Sequence, residues 1–201
     1  MGKQSYSIET IFENRPTIET YSQLQGKVKE FVDDIIKDSI KPNKVLRLNG
    51  KELNPKQEDL WFLSWGDMIE LRESINEMKM IESLKLIYEI KEDEFLRLDV
   101  FNCFAVYKWI TEQLKSIAEI EAQELSHEPT AEEKNAGVDM LQDFDYTVSL
   151  DVLANGDLLK YDEILEKPYA IIFRKLCLDK LKNQIQQNFI ENARRKVKGG
   201  Y

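Results

Sequence analysis

Apolar residues recur at steps of three and four along most of the chain after residue 60. This spacing is the period of one buried face of an α-helix. Ser64 is suited to cap the first of these helices, and Pro168 is suited to the first turn of the last. The predicted helices lie among residues 61–75, over about 81–88, over 98–125 and over about 168–195. We therefore expect a mainly α-helical fold, a helical bundle with a small N-terminal α+β element.

The N-terminal element is predicted from a turn signal. The segment Val45 to Leu53 holds two short apolar runs around Asn49-Gly50, a dipeptide that accepts positive φ at both central turn positions. A hairpin at 45–53 follows, and because a lone hairpin is barely stable, we expect it to pack on a helix or to pair with the N-terminal segment. A helix over 22–39, ended before Pro42, precedes it. We predict a small α+β domain over 1–60 and a helical domain over 61–201.

The segment between the two long helices is predicted to form a series of short helices. Thr130 and Glu133 have the spacing of a capping box, which predicts a helix over about 131–142. Residues 143–152 alternate apolar and polar as a strand does, but they precede Asn155-Gly156, which is typical of a helix C-cap. We favour a helix there. Asp157 is placed to cap a further short helix that reaches about residue 165.

Charge is divided into blocks along the chain. Residues 111–166 hold 3 Lys/Arg and 15 Asp/Glu, and residues 167–201 hold 9 Lys/Arg and 2 Asp/Glu. The net charge of −9 makes the whole chain a poor ligand for a phosphate backbone, so nucleic acid is disfavoured as a partner. No apolar run approaches the roughly 18 residues that cross a bilayer, and the N-terminus lacks the apolar segment of a secretory signal. We expect no membrane partner.

The residue types of common active sites do not cluster in the sequence. Asp143 to Asp151 place oxygen side chains at alternate positions as an EF-hand loop does, but Val148 and Ala154 stand where the loop needs Gly and a carboxylate. His127 is the only histidine, and both cysteines have apolar sequence neighbours, which predicts core packing for Cys103 and Cys177. We predict no catalytic, cofactor-binding or metal-binding residue and no enzymatic activity.

The last helix supplies the candidate contact surface. Its apolar positions predict burial of Tyr169, Ile172, Phe173, Leu176, Leu181, Ile185 and Phe189, yet the spacing becomes wide towards the end. Either that end packs on its own bundle or it offers a thin apolar stripe to a groove. The basic end could be a solvated tail or a protein contact, including a head-to-tail contact with the acidic segment of another copy. The predicted partner-binding residues are Phe189, Ile190, Arg194, Arg195, Lys196 and Lys198, with the acidic 119–133 face second.

The core is expected to be rich in aromatic side chains. Large aromatic residues bury more apolar area than any other type and commonly dominate cores. The predicted core residues of this kind are Trp61, Trp65, Phe101, Phe104, Trp109, Tyr169 and Phe173.

Three segments resemble the tail assembly chaperones of tailed bacteriophages. They are SWGDMIELRESI at 64–75, DVFNCFAVYKWITEQL at 99–114 and LANGDLLKYDEILEKPYAIIFRKLCLDKLKNQIQQNF at 153–189, in that order along the chain. The resemblance implies a non-enzymatic role in tail or neck assembly, by contact with other tail or neck proteins, with the tape measure protein as one candidate, in the host cytoplasm. Alternatives are a permanent virion subunit of the connector or tail ring, and a regulator that binds nucleic acid or a host protein through its basic end. A homo-oligomer or ring is a further expectation.

Overall fold

The chain is mainly α-helical, as predicted. The computed structural model describes residue 11 and residues 14–198. The α-helices are α1 (Ile18–Gln23), α2 (Gly26–Asp38), α3 (Trp65–Asn76), α4 (Met80–Tyr88), α5 (Glu92–Phe95), α6 (Val100–Leu125), α7 (Ala131–Asn135), α8 (Tyr146–Ala154), α9 (Tyr161–Leu165) and α10 (Tyr169–Lys198). Within the described residues, two strands, β1 (Leu46–Leu48) and β2 (Lys51–Leu53), form a hairpin, and three 3-10 helices occupy Leu60–Phe62, Val138–Phe144 and Leu158–Lys160.

The longer helices agree with the apolar period. α4 and α6 lie where they were predicted, and α10 begins directly after Pro168. Ser64 caps α3, because its Oγ accepts a hydrogen bond from the Asp67 N–H at 3.0 Å. The periodic apolar faces and the local capping groups were therefore sufficient to place these helices.

The N-terminal helix prediction is wrong in one respect. Instead of one helix over 22–39 there are two, α1 and α2, separated at Leu24 and Gln25 in extended backbone. Leu24 is buried and joins the cluster that contains Val32 and Ile36, and Gly26 takes a positive φ of 58° where α2 begins. The burial of Leu24 is thus accompanied by a break in the helix.

The predicted hairpin is confirmed. Leu46 pairs with Leu53 and Leu48 pairs with Lys51 in an antiparallel register. Asn49 and Gly50 have φ values of 51° and 77°, as a two-residue turn with two left-handed positions requires. Leu46 and Leu48 are buried while the residue between them, Arg47, is exposed, so one face of the hairpin packs inward.

The hairpin is held by one buried amide on α6. Asn102 Oδ1 accepts a hydrogen bond from the Arg47 N–H at 2.6 Å, and Asn102 Nδ2 donates to the Val45 carbonyl at 2.9 Å. Tyr88 adds a hydrogen bond from its hydroxyl to the Lys44 carbonyl at 2.7 Å. The hairpin therefore packs on a helix, which is the first of the two expected arrangements.

The chain divides into two compact units that are not simple halves. The first contains the residues up to Leu60 together with Ile69–Ser116, and the second contains Trp61–Met68 and the residues from Ile117 onward. This division differs from the predicted boundary at residue 60. A boundary there would separate the hairpin from Asn102, to which its backbone is hydrogen-bonded 55 to 57 residues away in sequence.

Aliphatic side chains fill the interior more completely than aromatic ones. Trp65 and Tyr169 are buried as predicted, at 4% exposure each. The other predicted aromatic core residues are only half-buried, namely Trp61, Phe101, Phe104, Trp109 and Phe173. The largest fully buried side chains are Leu46, Leu60, Leu63, Met68, Leu71, Leu84, Ile87, Leu98, Ile110 and Ile117.

The connecting segment between α6 and α10 is a series of short turns of helix. The Thr130 and Glu133 capping box is present, but α7 ends at Asn135, before Gly137 with a φ of 88°. A 3-10 helix then replaces the predicted continuation to 142. Residues 146–154 form helix α8, which confirms the helical interpretation of that ambiguous stretch, and Asn155 ends it in the left-handed conformation.

Candidate functional site

The first turns of α10 are tied into the second unit. Tyr169 stacks on Trp61 with ring centroids 5.6 Å apart and planes 7° from parallel, and Phe173 lies 5.0 Å from the same indole. The Tyr169 N–H donates to the Leu63 carbonyl at 2.8 Å, and the Tyr169 hydroxyl donates to a carboxylate oxygen of Glu121. These contacts hold the start of the last helix by its aromatic side chains.

A further attachment lies about three turns along the same helix. Lys180 Nζ donates to the Glu124 carbonyl at 2.7 Å and to the Ser126 carbonyl at 2.9 Å. These carbonyls belong to the end of α6, where backbone oxygens have no partner within the helix. Lys180 therefore both caps α6 and attaches α10 to it.

Beyond this attachment α10 leaves the interior. Every side chain from residue 181 to residue 195 is exposed. The prediction that the helix buries Leu181, Ile185 and Phe189 is therefore wrong, because these side chains are 52%, 60% and 75% exposed. The predicted period was correct for a helix, but no other described part of the chain covers that face.

Four of the exposed apolar residues of α10 form one stripe. We call Leu178, Leu181, Ile185 and Phe189 the α10 stripe. Because an α-helix turns by about 100° per residue, these four positions fall within about 80° of one another around the axis. Stripes this narrow, at steps of three and four, are the form in which a helix docks into a groove or against another helix.

The predicted contact residues are only partly brought together. Phe189 lies on the α10 stripe, whereas Ile190 is about 100° around the helix from it. Arg194 is exposed, and Arg195 forms an ion pair with Glu191 at 3.7 Å. Lys196 and Lys198 belong to α10, but their side chains lie outside the described part of the structure. Phe189 is therefore the one predicted residue that joins the stripe among those with described side chains.

The stripe is set in a basic helix. Residues 169–198 hold 8 Lys/Arg and 2 Asp/Glu. Lys175 and Lys182 lie along one flank of the stripe, about 40° to 60° from Leu178 around the axis. Lys175 is ion-paired with Asp179 one turn later. A partner that covers the stripe would thus meet a positive rim.

A second exposed apolar set was missed by sequence reasoning. It lies on the two 3-10 helices that contact α8, Val138–Phe144 and Leu158–Lys160. Its members are large apolar residues with exposures from 49% to 93%: Met140, Leu141, Phe144, Leu158 and Leu159. The segment that carries these five side chains, residues 138–166, holds 8 Asp/Glu and a single Lys. We call this segment, with its five exposed apolar side chains, the acidic surface. The Leu-Leu pair directly after the capping Asp157 was its only sequence signal.

The acidic face at 119–133 is partly used within the chain. Glu121 accepts the Tyr169 hydroxyl, and Glu133 accepts from the Thr130 N–H and lies 3.1 Å from His127 Nε2. The Thr130 backbone hydrogen bond and the His127 contact lower the pKa of the Glu133 carboxyl. His127 is exposed and lies beside the cap of α7.

Residues that could support chemistry remain dispersed. Among residue 11 and residues 14–198, no three His, Cys, Asp or Glu side chains are grouped so that they could hold a metal ion. The alternating oxygens from Asp143 to Asp151 run through a 3-10 helix and α8, not through a loop. No helix in the same part of the chain is long and apolar enough to span a bilayer.

An open groove in the first unit is lined by both apolar residues and arginines. Phe101 and Ala105 of α6 line it together with Arg15 and Arg47. Arg15 lies 3.7 Å from Asp99, and Arg47 lies 2.9 Å from Glu52. Carboxylates of the chain therefore already face both of these guanidinium groups.

The two cysteines differ in environment. Cys103 is fully buried, and burial raises the pKa of its thiol to about 12. Cys177 is half-buried beside Leu178 of the α10 stripe, and partial burial together with Glu124 raises the pKa of its thiol. The predicted core packing therefore holds for Cys103, whereas Cys177 is only partly buried.

We expect iodoacetamide at pH 8 to modify Cys177 in the folded protein and to leave Cys103 unmodified. The thiolate is the reactive form, and reagent access to Cys103 requires unfolding. Intact-mass and peptide mass spectrometry would count and locate the adducts, with guanidinium-unfolded protein as the control in which both thiols react. Equal labelling of the two cysteines in the folded state would contradict the burial of Cys103.

Comparison of the chain with protein-family models, with curated proteins and with solved structures gave no match.

Proposed function

We propose that the protein is a non-enzymatic assembly protein that docks onto partner proteins through the α10 stripe, in the assembly of a phage tail or neck. The observation that carries the docking role is the exposure of four stepped apolar side chains on a helix whose first turns are anchored. The resemblance of residues 64–75, 99–114 and 153–189 to tail assembly chaperones supports the choice of process.

Exposure of the stripe has an energetic meaning. Burying a large aliphatic or aromatic side chain stabilises a protein or a complex by about 1.5–3 kcal/mol. Single exposed apolar residues are ordinary, but several aligned on one exposed helix face mark an interaction site. Covering the α10 stripe with a partner therefore lowers the free energy of the complex, and this decrease is the driving force that the proposal assigns to docking.

The chaperone form of this role suits the same geometry. A tail assembly chaperone shields apolar helical segments of the tape measure protein until the tail tube covers them. An exposed stripe on an anchored helix can substitute for those later partners. The basic rim of α10 would favour acidic segments of the partner over basic ones.

A pair of matched double variants tests the docking role. Ile185→Glu with Phe189→Glu places two carboxylates on the stripe, whereas Asn183→Glu with Gln187→Glu places the same two charges on the opposite side of the same exposed helix. Both pairs are four residues apart, so their effects on helix stability should be similar. We expect the stripe variant to bind its tail or neck partners at least tenfold more weakly and the control variant to bind normally.

The measurement is quantitative mass spectrometry of proteins that co-purify with the tagged full chain from infected cells. Circular dichroism of each variant verifies that α10 is intact. Retention of tail or neck proteins at the wild-type level by the Ile185/Phe189 variant would refute the docking role. Mass spectrometry of purified particles adds the distinction between a chaperone, which is absent from them, and a virion subunit, which is present at fixed stoichiometry.

A further inference from the structure

We propose that the α10 stripe of one copy docks onto the acidic surface of a second copy, so that copies join head to tail. The proposal rests on the docking function proposed above, because it uses the same stripe. It names the occupant of that stripe as a defined surface of this chain.

Charge complementarity selects this occupant. α10 holds 8 Lys/Arg and 2 Asp/Glu, and residues 138–166 hold 8 Asp/Glu and one Lys. The two surfaces have opposite sign, and each places exposed large apolar residues among its charges. Surfaces of this kind attract over distance through their charges and then bury apolar area on contact.

Both surfaces are uncovered in a single copy. Phe189 at the far end of the stripe is 75% exposed, and Leu158 and Leu159 of the acidic surface are 72% and 93% exposed. If the two surfaces met within one chain, these side chains would be covered. Their joint exposure leaves a contact between copies as the way in which they can bury each other.

Pairing of α10 with α10 is disfavoured by the same charges. Such a contact would bring together two helices that each hold 8 Lys/Arg and 2 Asp/Glu. Like charges across an interface oppose association. The contact is therefore heterologous, with a helix on one side and the acidic surface on the other. A joined pair keeps one free helix on one copy and one free acidic surface on the other, so the assembly continues as a ring if the rotation closes or as a filament if it does not.

Complementary variants test the head-to-tail arrangement. The helix variant is Ile185→Glu with Phe189→Glu, and the surface variant is Leu158→Asn with Leu159→Asn, so that the two altered faces do not attract each other. All four positions are exposed, so folding should be retained, as circular dichroism and thermal unfolding would verify. We expect wild-type protein to self-associate in sedimentation velocity, and each variant alone to associate at least tenfold more weakly.

An equimolar mixture of the two variants gives the decisive result. The helix variant retains an intact acidic surface and the surface variant retains an intact helix, so the mixture should form a one-to-one dimer that does not grow further. The affinity should fall as salt is raised from about 50 to about 500 mM, because the attraction is partly electrostatic. The Asn183/Gln187 double variant, which adds the same charge away from the stripe, should assemble much more strongly than the helix variant.

Each contrary outcome has a separate meaning. Wild-type protein that stays monomeric at low salt and high concentration overturns the head-to-tail inference, and so does a mixture of the two variants that fails to form the dimer. If the wild type is monomeric but the helix variant still loses its tail or neck partners, the docking function stands alone. If head-to-tail assembly occurs and those partners are unaffected by the helix variant, the proposed function fails and the inference stands.

Discussion

Replacement of Tyr169 by alanine is expected to lower the free energy of unfolding by about 3–5 kcal/mol, the range for removing a large buried aromatic side chain. Tyr169 is 4% exposed, and its ring stacks on Trp61 in the aromatic cluster that anchors α10. The substitution leaves a cavity beside the indole and removes the hydroxyl group that donates to Glu121. Guanidinium unfolding monitored by tryptophan fluorescence and by circular dichroism measures the loss.

Tyr169→Phe separates the ring from the hydroxyl group. It keeps the stack on Trp61 and removes one hydrogen bond, so we expect a loss of only about 0.5–1.5 kcal/mol. If Tyr169→Ala and Tyr169→Phe were equally destabilising, loss of the ring would add nothing to loss of the hydroxyl group, and the stack on Trp61 would not be what anchors α10. The alanine variant should also weaken docking through the α10 stripe, since the start of the helix is then poorly held.

Replacement of Asn102 by alanine is expected to lower the free energy of unfolding by about 2–4 kcal/mol, because a buried backbone group left without its partner costs about 1–3 kcal/mol. Asn102 is 9% exposed, and the substitution removes the side-chain partners of both the Arg47 N–H and the Val45 carbonyl. These two groups lie at the point where the hairpin meets α6, so the effect should be concentrated in the hairpin.

Hydrogen exchange can locate this effect. The amides of β1 and β2 should exchange faster in Asn102→Ala, while the amides of α10 should be unchanged. Glu112→Ala is the matched control, because Glu112 is an exposed residue of the same helix. Its substitution should change the stability by less than about 0.5 kcal/mol. Uniform acceleration of exchange across the chain would argue against a local role of Asn102.

The anchored and exposed parts of α10 explain how one helix can serve both stability and contact. Its first turns contribute to the second unit through Tyr169 and Ile172, which are buried. Its later turns carry exposed apolar side chains such as Ile185 and Phe189. A residue such as Phe189 can therefore be changed to test docking with little effect on unfolding, whereas a change at Tyr169 affects both.

Local features were predicted well because their causes are local. The Asn49-Gly50 turn depends on two residues that accept a positive φ, and the capping box depends on Thr130 and Glu133, which are three positions apart. A helix such as α6 is visible from side chains three and four residues apart. In each case the residues that determine the structure are neighbours in the sequence.

The position of the hairpin on α6 was not predictable in the same way. Asn102 lies in an apolar helix, where an amide is costly unless it is paired. Its partners, Val45 and Arg47, lie 57 and 55 residues earlier in the chain. The period of α6 shows that position 102 is helical, but it does not show which backbone groups that side chain meets.

By itself the sequence determined where the longer helices and the hairpin form, how several of them begin, and how charge is distributed along the chain. Only the tertiary structure decided which apolar faces are covered. Ile172 is buried, whereas Ile185 on the same helix is exposed, although both satisfy the helical period. The reason is that the spacing of apolar residues shows only which side chains share one face of a helix. Whether that face is buried depends on whether a segment distant in the sequence packs against it.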